Sequence, residues 1–261
     1  MNIISVFNQK GGVGKTTVNI NLASELALKG LRILSVDIDP QGNSSSGFGI
    51  EKTNLKLSSY DVLTSDVEIN DVIIKSPIVE NLFIVPSNIE LAGAEIELVN
   101  IPNREFILKN KLNKINNYYD YIIIDCPPSL GILSLNALVA SKSVLIPIQC
   151  EYYALEGVGE LMNTIDAIKK SLNPSLYVEG VLLNMFDGRI RLNVEVANEV
   201  KKYFKDKLYS TMIPRNVRLA ECPSHGVPIA LYDDRCKGAD AFSKFSDEFI
   251  SNSKGAVQVV N

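Results

Sequence analysis

Ten residues, "NQKGGVGKTT" at 8–17, constrain the fold more than any other stretch of this chain. They follow a short β-branched run, "IISVF" at 3–7, and open a segment of helical period over Thr16–Lys29. A glycine-rich turn between strand and helix, closed by Lys-Thr, is the setting of a phosphate-binding loop. The usual spacing, G-x-x-x-x-G-K-[ST], would place its first glycine at position 9, which is Gln9. An additional lysine, Lys10, stands at the loop entrance instead, beside Gly11 and Gly12.

Each residue of the loop has a chemical reason to be there. Gly11, Gly12 and Gly14 permit backbone conformations closed to residues with a Cβ, and with Val13 they let N–H groups approach an anion. The helix beginning near Thr16 adds unpaired N–H groups and the positive end of its dipole. Lys15 is placed for the β- and γ-phosphates, the Thr16 hydroxyl for Mg²⁺, and Thr17 for the α-phosphate.

Alternating strand and helix patterns extend this unit into an α/β fold with a mostly parallel central sheet flanked by helices. Ile3–Phe7, Arg32–Asp37, Leu82–Val85, Tyr121–Asp125, Ser143–Ile148 and Val178–Asn184 read as strands. Their consecutive apolar residues suit strands covered on both faces. Thr16–Lys29, Arg104–Asn116, Leu133–Ala140, Leu155–Ser171 and Asn193–Phe204 read as helices. At 261 residues, without a linker or repeat, the chain is expected to form a single domain over 1–261, with a flexible C-terminal tail from about 250. The polar run "QGNSSSGFG" at 41–49 fits either a nucleotide-responsive loop or a flexible turn.

Two strand ends supply carboxylates. "LSVDIDP" places Asp37 and Asp39 two residues apart, so both are expected on one side of the sheet. "YIIIDCPPS" ends in Asp125. Ligands of open parallel sheets bind at the carboxyl ends of the strands, where the loop and all three aspartates should meet. Magnesium is therefore expected near Thr16 and Asp125.

These motifs together resemble the ParA/Soj family of chromosome- and plasmid-partition ATPases, in the wider group that includes MinD. The family's deviant Walker A pattern, K-G-G-x-G-K-[ST], stands intact from Lys10 to Thr16. "LSVDIDPQGN" (34–43), "YIIIDCPPSLG" (121–131), "PIQCEYYALEG" (147–157) and "IPRNVRLAECPSHG" (213–226) follow in the family's order. The likeness runs from Met1 to about Phe249 and is nearest the short, chromosomal Soj type.

The resemblance implies a P-loop NTPase fold of the deviant Walker A type and an ATP-dependent homodimer. Lys10 would reach across the interface to phosphates bound by the second chain, in the manner of an arginine finger supplied in trans. Lys10 and Lys15 thus join Asp39, the match to the family's catalytic aspartate, as the catalytic set, and Asp37 and Asp39 would join Thr16 and Asp125 in the magnesium shell beside ATP. Asn184, Pro214 and Asn216 would surround adenine, and Arg189 and Arg218 match DNA-binding positions. The partners implied are non-specific double-stranded DNA, a ParB-type protein that stimulates slow hydrolysis, and the replication initiator DnaA. The setting implied is the cytoplasm, in association with the nucleoid.

Charge is consistent with that picture. The segment 185–218 carries eight Lys/Arg against four Asp/Glu, a net +4 in a chain whose total is −4. Such a basic patch suits sequence-independent phosphate contacts, and a solvated helix face would look the same at 201–207. No helix-turn-helix pattern precedes the first strand, so operator-specific binding is not expected. No signal peptide or membrane span is expected, since "LGILSLNALVASKSVLIPI" is broken by Asn136, Lys142 and Pro147.

Three other readings compete with this one. A MinD-like membrane switch would need an amphipathic C-terminal helix, and "SNSKGAVQVVN" lacks a basic-plus-apolar stripe. A redox relative of the nitrogenase iron protein would need cluster cysteines in its own motifs; Cys126, Cys150, Cys222 and Cys236 are expected to be buried apolar residues. A ParA-like positioner of a protein cargo would share every motif above.

Overall fold

One seven-stranded sheet organises the computed structural model, which describes residues 2–152 and 154–258. Its strands are β1 (Asn2–Val6), β2 (Ile33–Asp37), β3 (Ile74–Lys75), β4 (Leu82–Val85), β5 (Tyr121–Asp125), β6 (Ser143–Gln149) and β7 (Tyr177–Asn184). They lie in the order β3-β4-β2-β5-β1-β6-β7, and every pairing is parallel except that of β3 with β4. The six expected strands are all present, each with ends within one residue of expectation. The short antiparallel edge β3 carries no pattern long enough to be read from sequence.

Alternation along the strands divides the interior into two layers. From β1 and the residue after it, Ile3 and Phe7 enter one cluster, whereas Ile4 and Val6 enter the other. The second cluster is covered by α1 (Lys15–Leu28), whose residues from Val18 to Ala27 are all buried. Burial on all sides explains its low amphipathicity in the sequence.

Of the expected helices, α1 and those at Ile132–Ala140, Ala154–Ser171 and Arg191–Phe204 are present with ends within two residues. The stretch 104–116 departs from expectation. Only Ile107–Asn113 is α-helical, between 3-10 turns at Arg104–Phe106 and Asn116–Tyr118. Bonds from Phe106 N–H to Asn103 O and from Ile115 N–H to Leu112 O tighten the two ends.

The last helix, Lys237–Gln258, has no counterpart among the expected elements. Its Phe242, Phe245 and Phe249 are fully buried, and Ile250 packs against the same cluster. Each such ring contributes roughly 1.5–3 kcal/mol of burial, enough to moor the helix firmly. The stretch expected as a tail from 250 is therefore helical as far as Gln258; residues 259–261 lie outside the described residues.

Cys126, Cys150 and Cys222 are buried free thiols as expected, while Cys236 is only half-buried. Among the described residues no helix is long and apolar enough to cross a membrane.

Candidate nucleotide site

Strand register brings the chemistry together. In the parallel ladder Asp125 of β5 stands opposite Asp37 of β2 on one side and Val6 of β1 on the other. The loop 8–14 leaves β1 at this same carboxyl edge and enters α1 at Lys15. The sheet thus delivers loop and carboxylates to one place, as an open parallel sheet should.

Backbone conformation accounts for two of the three glycines. Gly12 has φ +78° and Gly14 φ +87°, left-handed values that favour glycine. A Cβ on Gly14 would also lie 2.1 Å from Asn184 Nδ2, so the loop has no room for one. Gly11 shows neither constraint, and a Cβ there would meet nothing in this chain. Asn184, at the end of β7, clamps the loop by donating from Nδ2 to Val13 O at 2.8 Å, while its Oδ1 accepts the Met185 N–H.

The two lysines occupy different environments. Lys15 is buried, and its ammonium donates to Lys10 O at 3.1 Å. Burial lowers its pKa, against the attraction of Asp125 and Asp39. The Lys10 side chain is 36% exposed and pairs with Glu151 at 2.9 Å. Only Lys15 lies inside the phosphate cradle.

Beneath the loop, Asp125 Oδ2 accepts hydroxyl bonds from Thr16 at 2.8 Å and Ser44 at 2.7 Å, whereas its buried Oδ1 has no partner. Burial pushes the Asp125 carboxyl up to about 8 and the Asp37 carboxyl up to about 6. The charge of Asp37 adds to the first shift and that of Asp39 to the second. Asp39 lies two residues past the end of β2, close enough to Lys15, Asp37 and Asp125 for its charge to act on each. β2 ends at Asp37, so the period-two argument stops there. The chain turns instead, with the Asp39 N–H bonded to Asp37 Oδ1 at 3.1 Å and Asp39 Oδ1 accepting the Gln41 N–H at 2.9 Å.

The donor set suits magnesium better than a soft metal. It consists of hard oxygens, the Thr16 hydroxyl and the Asp125 carboxyl, and the buried Asp125 Oδ1 is without a partner, a place that a metal-bound water would fill once the carboxyl is ionised. Both oxygens of Asp37 are already engaged by Asp39 and Ser45. Among the described residues no three acidic, histidine or cysteine side chains gather as a metal cage. The remaining ligands would have to come from phosphate oxygens and water.

The run "QGNSSSG", open to two readings in the sequence, forms a short helix, α2 (Asn43–Gly47), with Ser44 and Ser45 buried against Asp125 and Asp37. Sequence reasoning alone misses these serines. The available signal was their place: three hydroxyls a few residues beyond two strand-end aspartates.

A family model described as an AAA domain matches residues 1–178. The chain is 57% identical over 250 residues to the sporulation initiation inhibitor protein Soj of Bacillus subtilis (strain 168), covering 96% of this chain and 98% of that one. It is 52% identical over 248 residues to the chromosome partitioning protein ParA of Myxococcus xanthus, covering 95% and 87%. The chain belongs to the ParA/Soj family of chromosome-partitioning ATPases. Among solved structures, a cobyrinic acid a,c-diamide synthase from Mycobacterium smegmatis with bound ADP and magnesium superposes with a TM-score of 0.85. It is 34% identical, with 98% of this chain and 96% of that chain covered. The fold is that of the ParA/MinD P-loop NTPases.

The remaining residues singled out by the ParA/Soj resemblance fall into two groups. Asn184, Pro214 and Asn216 line one cavity of about 170 Å³, together with Thr17 at the start of α1. Asn216 Oδ1 is used locally, capping the helix Val217–Glu221 through the Arg218 N–H at 2.8 Å. A larger groove of about 860 Å³ is lined by Tyr152, Leu192 and Val196 among others, and its lining among the described residues includes none of the loop 8–14.

Arg189 lies in the turn after β7 and Arg218 in the helix Val217–Glu221, and the segments leading to them are joined by the parallel bridge between Phe186 and Pro214. Neither guanidinium is unpaired. Arg189 grips Asp187 through two side-chain bonds of 2.9 and 2.7 Å, which hold the Asp187 carboxyl down at about 2. Arg218 meets Glu221 at 2.9 Å and Asp233 at 3.3 Å. Half of the segment's basic residues are paired with carboxylates, since Arg191 meets Glu195 and Lys202 meets Glu199 as well.

Proposed function

We propose that this ParA/Soj-family chain is a single-domain, ATP-driven dimerising switch that binds DNA without sequence preference and acts in chromosome or plasmid segregation. The observation that carries this reading is the division of labour between the two lysines. Lys15 is buried in its own loop, while Lys10 is partly exposed and its ammonium is held by Glu151 outside the loop. A cation at the rim of the phosphate cradle, partly exposed, can serve a nucleotide held by another copy.

In one chain the N–H groups of Gly11 to Gly14 and the start of α1 would bind the phosphates, with Lys15 on the β- and γ-phosphates. Asn184, Pro214 and Asn216 would receive the adenine in the cavity they line with Thr17, which would bond the α-phosphate. Thr16 Oγ1, and Asp125 through water, would hold magnesium, which would neutralise charge on the phosphate oxygens. Asp39 would hold the attacking water in line. Lys10 from the second copy would add positive charge where the transferring phosphoryl group gains negative charge.

Phosphoryl transfer depends mainly on positioning and charge, so an unpaired chain lacking the second lysine should be a slow ATPase. Arg189 and Arg218 would supply the DNA contacts, and a ParB-type protein would accelerate hydrolysis and reset the switch. DnaA is a further expected target. The protein would work in the cytoplasm on the nucleoid.

The test is DNA binding by the Asp39→Ala protein with ATP, with ADP and without nucleotide, at two salt concentrations, with oligomer size recorded in each state. The expected result is a dimer with ATP alone, binding any sequence and weakened by salt. An ATP dimer that ignores DNA would shift the reading to a positioner of protein cargo or to a membrane switch.

A further inference from the structure

The Asp39 backbone is held in a closed ring of hydrogen bonds that includes two serines, one on α2 and one just past β4. Asp37 Oδ2 accepts both the N–H and the hydroxyl of Ser45, at 2.8 and 2.7 Å. Ser45 Oγ, its proton committed to Asp37, accepts the Ser87 N–H at 2.8 Å. Ser87 Oγ donates to Asp39 O at 2.8 Å, and the Asp39 N–H returns to Asp37 Oδ1 at 3.1 Å. Ser45, Ser87 and Asp37 are fully buried, and Asp39 nearly so.

We infer that Ser45 and Ser87 are positioning residues for ATP hydrolysis, aiming the Asp39 carboxylate by fixing its peptide at both the N–H and the C=O. The inference rests on the reading of Asp39 as the residue that holds the attacking water. Three features of the ring favour aim over simple cohesion. The Ser45 hydroxyl both donates and accepts within the ring and the Ser87 hydroxyl donates within it, so neither serine can rotate without opening the ring. The ring joins three separate segments, the end of β2, α2 and the residue two past β4, and so ties Asp39 to both neighbouring elements. The turn after Asp39 is also pressed against Ser87: Gly42 has φ +58°, and a Cβ there would lie 2.6 Å from Ser87 O. The Gly42 N–H donates to the same Asp39 O at 2.8 Å, so the carbonyl is fixed from two sides.

A group misplaced by about 1 Å can slow a reaction by about a hundredfold without weakening ground-state binding. The experiment therefore separates turnover from nucleotide affinity in the full-length protein. Ser87→Ala should lower kcat by about ten- to a hundredfold, with affinity for a non-hydrolysable ATP analogue within about threefold of wild type and one site per chain. Unchanged turnover in a Ser87→Ala protein that binds the analogue normally would overturn the inference.

Ser45→Thr and Ser45→Val form a second, matched pair, equal in shape and differing only in the hydroxyl. Thr should turn over at least about tenfold faster than Val; equal kcat values would sink the idea even if Ser87→Ala does not fold. Asp39→Ala separates this inference from the reading it rests on. If Asp39→Ala turns over normally, that reading of Asp39 fails. If Asp39→Ala is inactive while the serine variants are as fast as wild type, only the ring's role fails. Adding Ser87→Ala to Asp39→Ala should cause no further loss.

Discussion

The ammonium of Lys10 and the carboxylate of Glu151 form an ion pair of 2.9 Å within one chain, with Gln149 holding the other oxygen of the same carboxylate at 2.6 Å. The pair is open to solvent, and exposed pairs contribute only about 0–1 kcal/mol. Lys10 is thus parked in a contact that is easily exchanged for a stronger one with phosphate. Among the described residues its side chain makes no bond to the rest of the phosphate loop; the loop uses its backbone, through Asn8 and Lys15.

Lys10→Ala should consequently bind ATP as a monomer with affinity within a few-fold of wild type, yet fail to form the ATP-dependent dimer. Lys15→Ala, which removes the buried cation, should lose ATP binding altogether. Titration calorimetry combined with light scattering separates the two. A Lys10→Ala protein that dimerises normally with ATP would remove the case for a contribution in trans.

Gly14→Ala adds a methyl group where the backbone is left-handed and Asn184 is already in contact range. Strain of this kind costs about 1–3 kcal/mol, and the displaced Asn184 would release Val13 O. The expected outcome is a lower melting temperature together with at least tenfold weaker nucleotide binding. Gly11→Ala is the control, since a Cβ there meets nothing in the chain. Its melting temperature in the absence of ligand should match that of wild type within about 2 °C, on the scale where 1 kcal/mol shifts a domain of this size by about 2–4 °C.

The two buried carboxyls make the nucleotide-free protein sensitive to alkali. Asp37 and Asp125 are raised in the fold to about 6 and about 8, from an ordinary 3.8. A carboxyl with a raised folded-state pKa binds its proton more tightly in the fold than when unfolded. The stability it lends is complete below the unfolded value and is lost as pH climbs through the folded one. Without nucleotide and with magnesium chelated, the melting temperature should fall as pH rises from about 5 to about 8.5, over roughly the window these values span. Asp125→Asn should flatten that slope, and magnesium with ATP should restore stability at the alkaline end. An unchanged slope in Asp125→Asn would count against the raised carboxyl.

Arg189 and Arg218 each have an in-chain carboxylate partner, so DNA must compete with Asp187 for the first and with Glu221 and Asp233 for the second. Arg189→Glu combined with Arg218→Glu should weaken DNA binding by more than about tenfold. The log–log salt slope should fall by about 2, roughly 0.9 for every phosphate that is no longer neutralised. ATP-dependent dimer formation should be unaffected. Normal DNA retardation by the double variant would place the DNA face elsewhere.

Local chemistry made the phosphate loop readable. Glycines flanking a lysine, between a β-branched run and a helical period, have few other uses, and the apolar runs of β5 and β6 can only be strands covered on both faces. The end of each strand was equally legible, since Asp37, Asp125 and Asn184 close runs whose length fixes them within a residue. What pattern could not supply was register. That Asp37 stands opposite Asp125, that Gly14 abuts Asn184, and that Ser87 reaches back to Asp39 depend on which strands lie side by side. Such contacts join residues far apart in the chain, and no local spacing encodes them. The serines of α2 and the phenylalanines of the last helix were hidden for the same reason. A polar run becomes a buried clamp, and the stretch before the expected tail a core helix, only when the folded sheet presents carboxylates to one and an apolar face to the other.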